Sequence, residues 1–476
     1  MRINLEGSFF GSSIETQVDQ ISLDMFDSWF KCHCKPEEFE VTEIPFRELD
    51  KWSFVGAGTK LAHDSGRFFS IEGINVKNNS GIVREWEQPI INQPEVGILG
   101  FITKKIGGVR YFLMQAKMEP GNINILQISP TLQATKSNFS RVHRGKSPDY
   151  LEYFLNKTNV KVLVDQLQTE QGGRFLRKRN RNIIIEVTDE IPVLDNFCWL
   201  TLWQLKELMK MDNILNMDTR SVLSTIPLIE DEVAMQFAKL NYFDFNRQIS
   251  EKGISPVGMN YINSYITENS VNSIEEIISW FTDQKVKNDI EVTSVPLSSL
   301  KGWEIGEYEI RKSDIYFSVN AVRVKAGSRE VTSWTQPLIK DINIGLLAFV
   351  VKQIDGVLHF LVQAKVEPGN RDIVEMSPTI SCSNYEHVIH KETRPFLFDE
   401  VVNNSFKILY DTLQSEEGGR FYRLQNRNMI VEASENSIKE IPDNYIWMTL
   451  AQMKEFMRFG MFNIEARSII SSISFN

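Results

Sequence analysis

An octapeptide occurs twice in this chain. QAKMEPGN at Gln115–Asn122 returns as QAKVEPGN at Gln363–Asn370, 248 positions later, and at the same offset Ser129-Pro130-Thr131 returns as Ser377-Pro378-Thr379. A polar segment repeated at half-chain spacing in 476 residues constrains the fold more than composition does. It makes the molecule a duplicated unit, and each unit must carry this loop.

The repeat extends on both sides. FEVTEIPFRELDKWSF, Phe39–Phe54, matches IEVTSVPLSSLKGWEI, Ile290–Ile305, and Ser28-Trp29-Phe30 matches Ser279-Trp280-Phe281. Trp86-Glu87-Gln88-Pro89 returns as Trp334-Thr335-Gln336-Pro337, EQGGRFLRKRNRN at Glu170–Asn182 as EEGGRFYRLQNRN at Glu416–Asn428, and Trp199-Leu200-Thr201-Leu202 as Trp447-Met448-Thr449-Leu450. The expected division is a first repeat within 1–227, a helical connector at 228–273 and a second repeat within 274–476. Gly253, Pro256 and Gly258 are expected to break the connector helix.

Each unit mixes strands and helices. GILGFITKKIGGVRYFLMQAK reads as two strands about Gly107-Gly108, and its second copy turns on Asp355-Gly356. The octapeptide then runs off the second strand, where Pro120-Gly121 stops pairing. Tyr150–Gln168 carries apolar residues at helical spacing and is expected to be a helix ended by a left-handed cap at Gly172-Gly173. Asn182–Val187 reads as a buried strand. Thr201-Leu-Trp-Gln204 and Thr449-Leu-Ala-Gln452 read as capping boxes opening helices. The fold class is therefore α+β, with mixed or antiparallel sheets packed by helices.

Composition narrows the partners. A net charge of −10 argues against nucleic acid or an anionic membrane as a general partner, while leaving room for a small anion held by local Arg residues. Four Cys form no disulfide framework, which fits a cytoplasmic protein. No run approaches the ~18 apolar residues of a membrane span, and the N-terminus has no signal-peptide pattern. Cys32-His33-Cys34 lacks a second ligand pair at metal-site spacing, and the familiar phosphate-loop, dinucleotide and Gly-x-Ser-x-Gly motifs are missing. No metal or redox cofactor is indicated.

What remains is polar and doubled. Lys117 and Glu119 stand two apart at a strand end and so face one side, where an ammonium beside a carboxylate can serve proton transfer or simply pair at the surface. Gln115, Asn122, Ser129 and Thr131 surround them, though the last three also suit turns. Arg174, Arg177, Arg179 and Arg181, with Asn180 and Asn182, concentrate forks suited to phosphate oxygens. The second copy offers Trp334, Gln363, Lys365, Glu367, Asn370, Ser377, Thr379, Arg420, Arg423, Arg427 and Asn428 as a second ligand site. The copies differ where Asn138-Phe-Ser-Arg141-Val-His143 becomes Asn384-Tyr-Glu-His387-Val-Ile389. His143, a group that titrates near neutrality, is lost there, so the first copy is expected to do the chemistry.

QAKMEPGN, SPTLQAT, NFSRVH and EQGGRFLRKRNRN together resemble the nucleoside-diphosphate-hexose 2,3-dehydratases of deoxysugar biosynthesis, over nearly the whole chain. The resemblance implies tandem Nudix-like domains assembled as a homodimer, although QLQTEQGGRF lacks the paired glutamates of a Nudix box. It also implies water elimination from a dTDP-4-keto-6-deoxyhexose, with a downstream 3-ketoreductase or aminotransferase to take up the product. In that frame Glu119 or His143 is base or acid, Lys117 electrophile or acid, Tyr111 a reserve, the Arg/Asn run a pyrophosphate clamp and Trp86 a stacking partner for the base. Arg141 stands beside His143 as a further substrate-binding candidate. The competing expectations are a non-catalytic nucleotide-sugar binding protein and an isomerase or epimerase on the same 4-keto sugar.

Overall fold

The computed structural model describes residues 3–35, 38–81, 83–136, 147–156, 159–313, 317–327, 332–341, 343–382 and 394–476. Each repeat builds one seven-stranded mixed sheet. In the first, the hairpin Gly97–Ile106 and Val109–Met118 turns on Gly107 and Gly108, whose φ values of 58° and 81° glycine alone adopts freely. The buried strand Arg179–Glu186 runs parallel to Gly97–Ile106, and Phe197–Thr201 closes the other side of the hairpin. The second repeat repeats this order with Gly345–Ile354, Val357–Val366, Gln425–Ala433 and Tyr445–Thr449.

Two smaller sheets are not built within single repeats. Phe39–Ile44 of the first repeat pairs with Phe317–Ala326 of the second, while the equivalent Ile290–Val295 of the second pairs with Ser70–Asn78 of the first. The repeats thus exchange strands reciprocally. Trp52, Leu61, Phe69, Ile71 and Phe175 of the first repeat then share one core with Leu297, Trp303, Phe317, Ile339 and Phe421 of the second.

The helices Met217–Ser224 and Ile464–Ile470 lie buried between the large sheets. Each carries a fully buried Arg whose fork reaches the other repeat. Arg220 donates to Leu215 O at 2.6 Å, to Gln414 Oε1 at 3.1 Å and to Ser415 O. Arg467 donates to Phe462 O at 2.7 Å and Thr169 O at 2.6 Å. Burying a guanidinium is tolerated because its donors meet backbone carbonyls in place of water. Burial still lowers the Arg220 pKa, to about 10. The capping boxes at Thr201 and Thr449 form as their sequences require. Their helices place the buried Lys206 on Ser471 O and Lys454 on Ser224 O, so each caps the C-terminal end of the other repeat's buried helix.

Two expectations are corrected. Among the described residues of this span the α-helix is confined to Leu151–Leu155; Lys161–Thr169 is an edge strand paired with Arg179–Glu186 and bulged between Val162 and Val164. Its apolar residues alternate about that bulge, which mimics helical spacing. Neither Gly172 nor Gly173 takes a positive φ, because no helix ends there. In the connector, Pro256 starts the helix Pro256–Ile266 behind a Ser255 cap and Gly258 lies inside it. A Cβ at Gly258 would sit 2.0 Å from Phe475 O, so that glycine permits close packing and does not break the helix.

Candidate active site

The strand Val109–Met118 ends with Gln115 and Lys117 on one side, and the turn Glu119–Asn122 folds the Glu119 carboxylate back against Lys117. Lys117 Nζ lies 3.2 Å from Glu119 Oε1. Gln133 Nε2 donates to the same oxygen at 3.0 Å, and Asn216 Nδ2 approaches Glu119 Oε2 at 3.5 Å. Gln133 is itself held through Oε1, which accepts from Ser129 Oγ at 3.0 Å and Asn216 Nδ2 at 3.2 Å. Asn216 also caps the helix Met217–Ser224, so Glu119 faces a helix N-terminus whose dipole favours negative charge. Glu119 is 6% exposed: a carboxylate fixed by an ammonium and two amides, with little freedom to reorient.

This pair lies where two cavities meet. The larger, about 950 Å³, is lined by Gln115 and Lys117, by Trp52, Phe68, Phe69 and Trp334, and by Lys51, His33, His63 and Arg420. A recess of about 230 Å³ continues it past Lys117 to Glu119, Gln133, Asn180, Lys178, Asp218 and Glu417. Lys117, Phe68, Trp334, Gln336 and Arg420 line both, so the two form one cleft with an aromatic outer part and a charged floor. The Arg420 guanidinium sits 4.2 Å over the Phe69 ring and donates to Gly419 O at 2.8 Å. Burial, reinforced by Glu417, Glu170 and Glu119, raises the Asp218 carboxyl well above the ordinary carboxylate range. Burial and the Glu119 charge also raise Glu417, against the pull of Arg420. Burial lowers Lys178. The recess thus holds two carboxyl groups pushed toward their protonated forms, Asp218 and Glu417, beside the Lys117–Glu119 pair.

The cleft belongs to both repeats. Gly121 N–H donates to Gly418 O at 2.7 Å and Arg423 N–H to Gly121 O at 2.7 Å, locking the first Glu-Pro-Gly-Asn turn into the second repeat's Glu-Gly-Gly-Arg turn. The other pair is exchanged in the same way: Gly369 N–H donates to Gly172 O at 2.7 Å and Arg177 N–H to Gly369 O at 2.8 Å. The approach requires glycine. A Cβ on Gly121 would sit 1.6 Å from Phe421 O, and one on Gly418 2.1 Å from Asn122 Oδ1.

The exchange redistributes the residues singled out in the sequence. Lys117, Glu119, Gln115 and Asn180 line the first cleft. Trp334 and Arg420, expected in the second site, line it as well, because their strand and turn cross over. Arg174 lies instead 3.8 Å over the Phe317 ring, in the field of Glu367 and Asp341, and Trp86 is tied through Gln88 to Gly173 of the turn that meets Gly369. Arg181 and Arg427 form fork pairs with Asp165 and Asp411 on the strands beside them. Arg177 and Arg423 serve by backbone, with φ of 54° and 52°. Thr131, Asn182, Thr379 and Asn428 are buried and bonded within the sheets or to the helices packed on them. The Tyr111 hydroxyl accepts from Asp19 N–H at 2.9 Å, away from the residues lining either cavity. Arg141 and His143 lie outside the described residues.

Around the second octapeptide, Lys365 Nζ lies 2.8 Å from both Glu367 Oε1 and Ser381 Oγ. Asn463 Nδ2 donates to Ser377 Oγ at 3.1 Å. Gln363 pairs with Ser377 and Tyr445. The Oδ1 atoms of both Asn122 and Asn370 are buried without a hydrogen-bond partner. Asp218, Glu417, Gln133 and Lys178 were missed in the sequence. The signal for Asp218 was there, since NMDTRSVLS at 216–224 recurs as NIEARSIIS at 463–471.

A family model described as NDP-hexose 2,3-dehydratase matches residues 23–226 and again 274–473. A protein of Saccharopolyspora spinosa named dTDP-4-dehydro-6-deoxy-alpha-D-glucopyranose 2,3-dehydratase is 44% identical over 469 residues, covering 98% of this chain and 94% of its own length. Proteins of the same name from Amycolatopsis orientalis and Streptomyces violaceoruber are 41% and 38% identical, over 97% and 94% of this chain and 92% and 96% of their own lengths. With both repeats matched and the likeness running almost end to end, this chain belongs to the NDP-hexose 2,3-dehydratase family.

Proposed function

We propose that this chain is a dTDP-4-keto-6-deoxy-D-glucose 2,3-dehydratase, a hydro-lyase that works in the cleft of the first octapeptide. The observation that carries this reading is the Lys117–Glu119 pair in the recess that continues a cavity of about 950 Å³, a volume suited to a nucleotide sugar, in a chain that matches enzymes of that name along its length. In this reading the aromatic outer part, Trp52, Phe68, Phe69 and Trp334, takes the base, and Arg420 with Lys51 takes the diphosphate. The sugar then reaches the recess.

The C4 ketone acidifies the C3 hydrogen. Glu119 removes it, and Lys117 donates to the C4 oxygen as enolate charge develops there. The C2 hydroxyl leaves as water, and the resulting enol tautomerises to a 3,4-diketo-2,6-dideoxy sugar. The reaction is redox-neutral. A 3-ketoreductase or aminotransferase consuming the diketone, a homodimeric assembly, a cytoplasmic setting and the Nudix-like character of the two large sheets belong to the same reading. So does a secondary ligand site at Lys365 and Glu367.

The test is to follow dTDP-4-keto-6-deoxyglucose with the protein by NMR. Loss of oxygen from C2 is the expected result. Exchange of the C3 hydrogen without that loss would replace the lyase by an isomerase or epimerase. An unchanged sugar would leave a binding protein.

A further inference from the structure

The turn that locks onto Glu119–Asn122 comes from the second repeat, and it brings a carboxyl group with it. Glu417 lines the same recess as Lys117, Glu119 and Asp218. Gly419 stands between the two glutamates: a Cβ built on it would lie 3.3 Å from Glu417 Oε1 and 4.0 Å from Glu119 Oε1. The turn is fixed in place by Gly121 N–H on Gly418 O at 2.7 Å and by Gln336 Nε2 on Gly419 O at 2.8 Å. Two carboxyl groups are thus held on either side of one small space, with Lys117 beside them.

The comparison between the two halves singles out Glu417. Lys117 has Lys365 as its counterpart, Glu119 has Glu367, and Asp218 has Glu465. Among the described carboxyl groups lining the first recess, Glu417 alone has an amide at its matching position, Gln171. An amide keeps the size and the hydrogen bonds but carries no transferable proton. Because the turns are exchanged, Glu417 serves the first cleft although it belongs to the second repeat.

We propose that Glu417 is the catalytic acid of the first cleft, protonating the departing C2 hydroxyl while Glu119 holds the proton taken from C3. The assignment rests on the dehydratase reading and deepens it. The protons balance. Glu119 takes the C3 hydrogen, the C2–O bond breaks as the C2–C3 double bond forms, and the oxygen leaves as water with the Glu417 proton. In tautomerisation Glu119 returns its proton to C2 and the C3 enol hydroxyl gives its proton to Glu417, restoring both groups. Burial and the neighbouring Glu119 charge, which hold Glu417 toward its protonated form, suit the role.

The experiment uses the full chain in D₂O with dTDP-4-keto-6-deoxyglucose, comparing wild type, Glu417→Gln and Glu417→Asp by NMR. Glu417→Gln is expected to lose dehydration by about 100-fold or more with little change in KM, as removal of a general acid does. It should still exchange the C3 hydrogen, and Glu417→Asp should recover part of the rate. Dehydration by Glu417→Gln within about threefold of wild type overturns the assignment, since general-acid catalysis contributes far more than that. If the Gln variant does not fold, Glu417→Asp decides: a displaced basic limb in the kcat–pH profile supports the role and an unmoved limb overturns it. A wild type that releases no water refutes the dehydratase reading and the assignment with it. An active wild type beside an active Glu417→Gln refutes the assignment alone.

Discussion

Replacing Gly121 by Ala tests the interlock that makes one cleft from two repeats. The added Cβ would lie 1.6 Å from Phe421 O, 2.7 Å from the Phe421 carbonyl carbon and 2.8 Å from Gly418 O, all backbone atoms that cannot rotate away. The turns must separate, which strains or breaks the two 2.7 Å bonds joining Gly121 to Gly418 and Arg423. Overpacking of this kind costs about 1–3 kcal/mol. Each lost backbone hydrogen bond adds about 1 kcal/mol. The expected total, about 3–5 kcal/mol, is a large part of the ~5–15 kcal/mol that holds a folded protein together. Urea unfolding followed by tryptophan fluorescence measures it. Gly81→Ala is the control: its φ of 79° disfavours a side chain, but nothing lies within 4 Å of the new Cβ. That substitution should cost about 1 kcal/mol. Gly369→Ala, with its Cβ 1.8 Å from Phe175 O, should destabilise as much as Gly121→Ala and leave turnover per folded molecule intact, since it disturbs the second turn. Equal urea midpoints for Gly121→Ala and Gly81→Ala would refute the argument.

The doubling of the site predicts unequal consequences for equivalent changes. Glu119→Gln should lower kcat by about 10²–10⁴, while Glu367→Gln should leave it near wild type; equal losses would remove the claim that the first cleft is the working one. A pH effect follows from Glu375, which replaces Gln127 of the first repeat and whose carboxyl is pushed up to about 8, chiefly by burial. A carboxyl raised above its unfolded value contributes stability below that unfolded value, near pH 4.5, and loses the contribution as pH rises through about 8. Glu375→Gln should therefore gain in urea midpoint over wild type between pH 5 and pH 8, and a difference that does not change with pH would contradict the reasoning.

Much of the local structure was legible because its causes are local. Thr201 and Gln204 cap a helix by their own side chains, and Gly107-Gly108 and Asp355-Gly356 turn hairpins by their own backbone freedom. The segment at 161–169 misled because a bulged edge strand displaces its apolar residues from strict alternation, and its partner Arg179–Glu186 lies beyond the intervening turn. Lys117 and Glu119 of the octapeptide meet at the cleft because two residues two apart at a strand end face one side. Asp218 comes to that cleft on the helix Met217–Ser224, far along the chain, and its place depends on how that helix packs.

The sequence by itself determined that there are two units, that each ends a strand in a Glu-Pro-Gly-Asn turn, and that each carries a Gly-Gly-Arg segment further on; that this segment is a turn receiving the other loop came from the structure. The sequence did not determine which turn receives which. The two copies of each turn are so alike that either pairing satisfies the same hydrogen bonds, and local chemistry cannot choose between them. The choice is made by the exchanged strands Phe39–Ile44 and Ile290–Val295 and by the apolar core the small sheets share, which are properties of the closed molecule. That closure puts Arg420, Trp334 and Glu417 of the second repeat around Lys117 and Glu119 of the first.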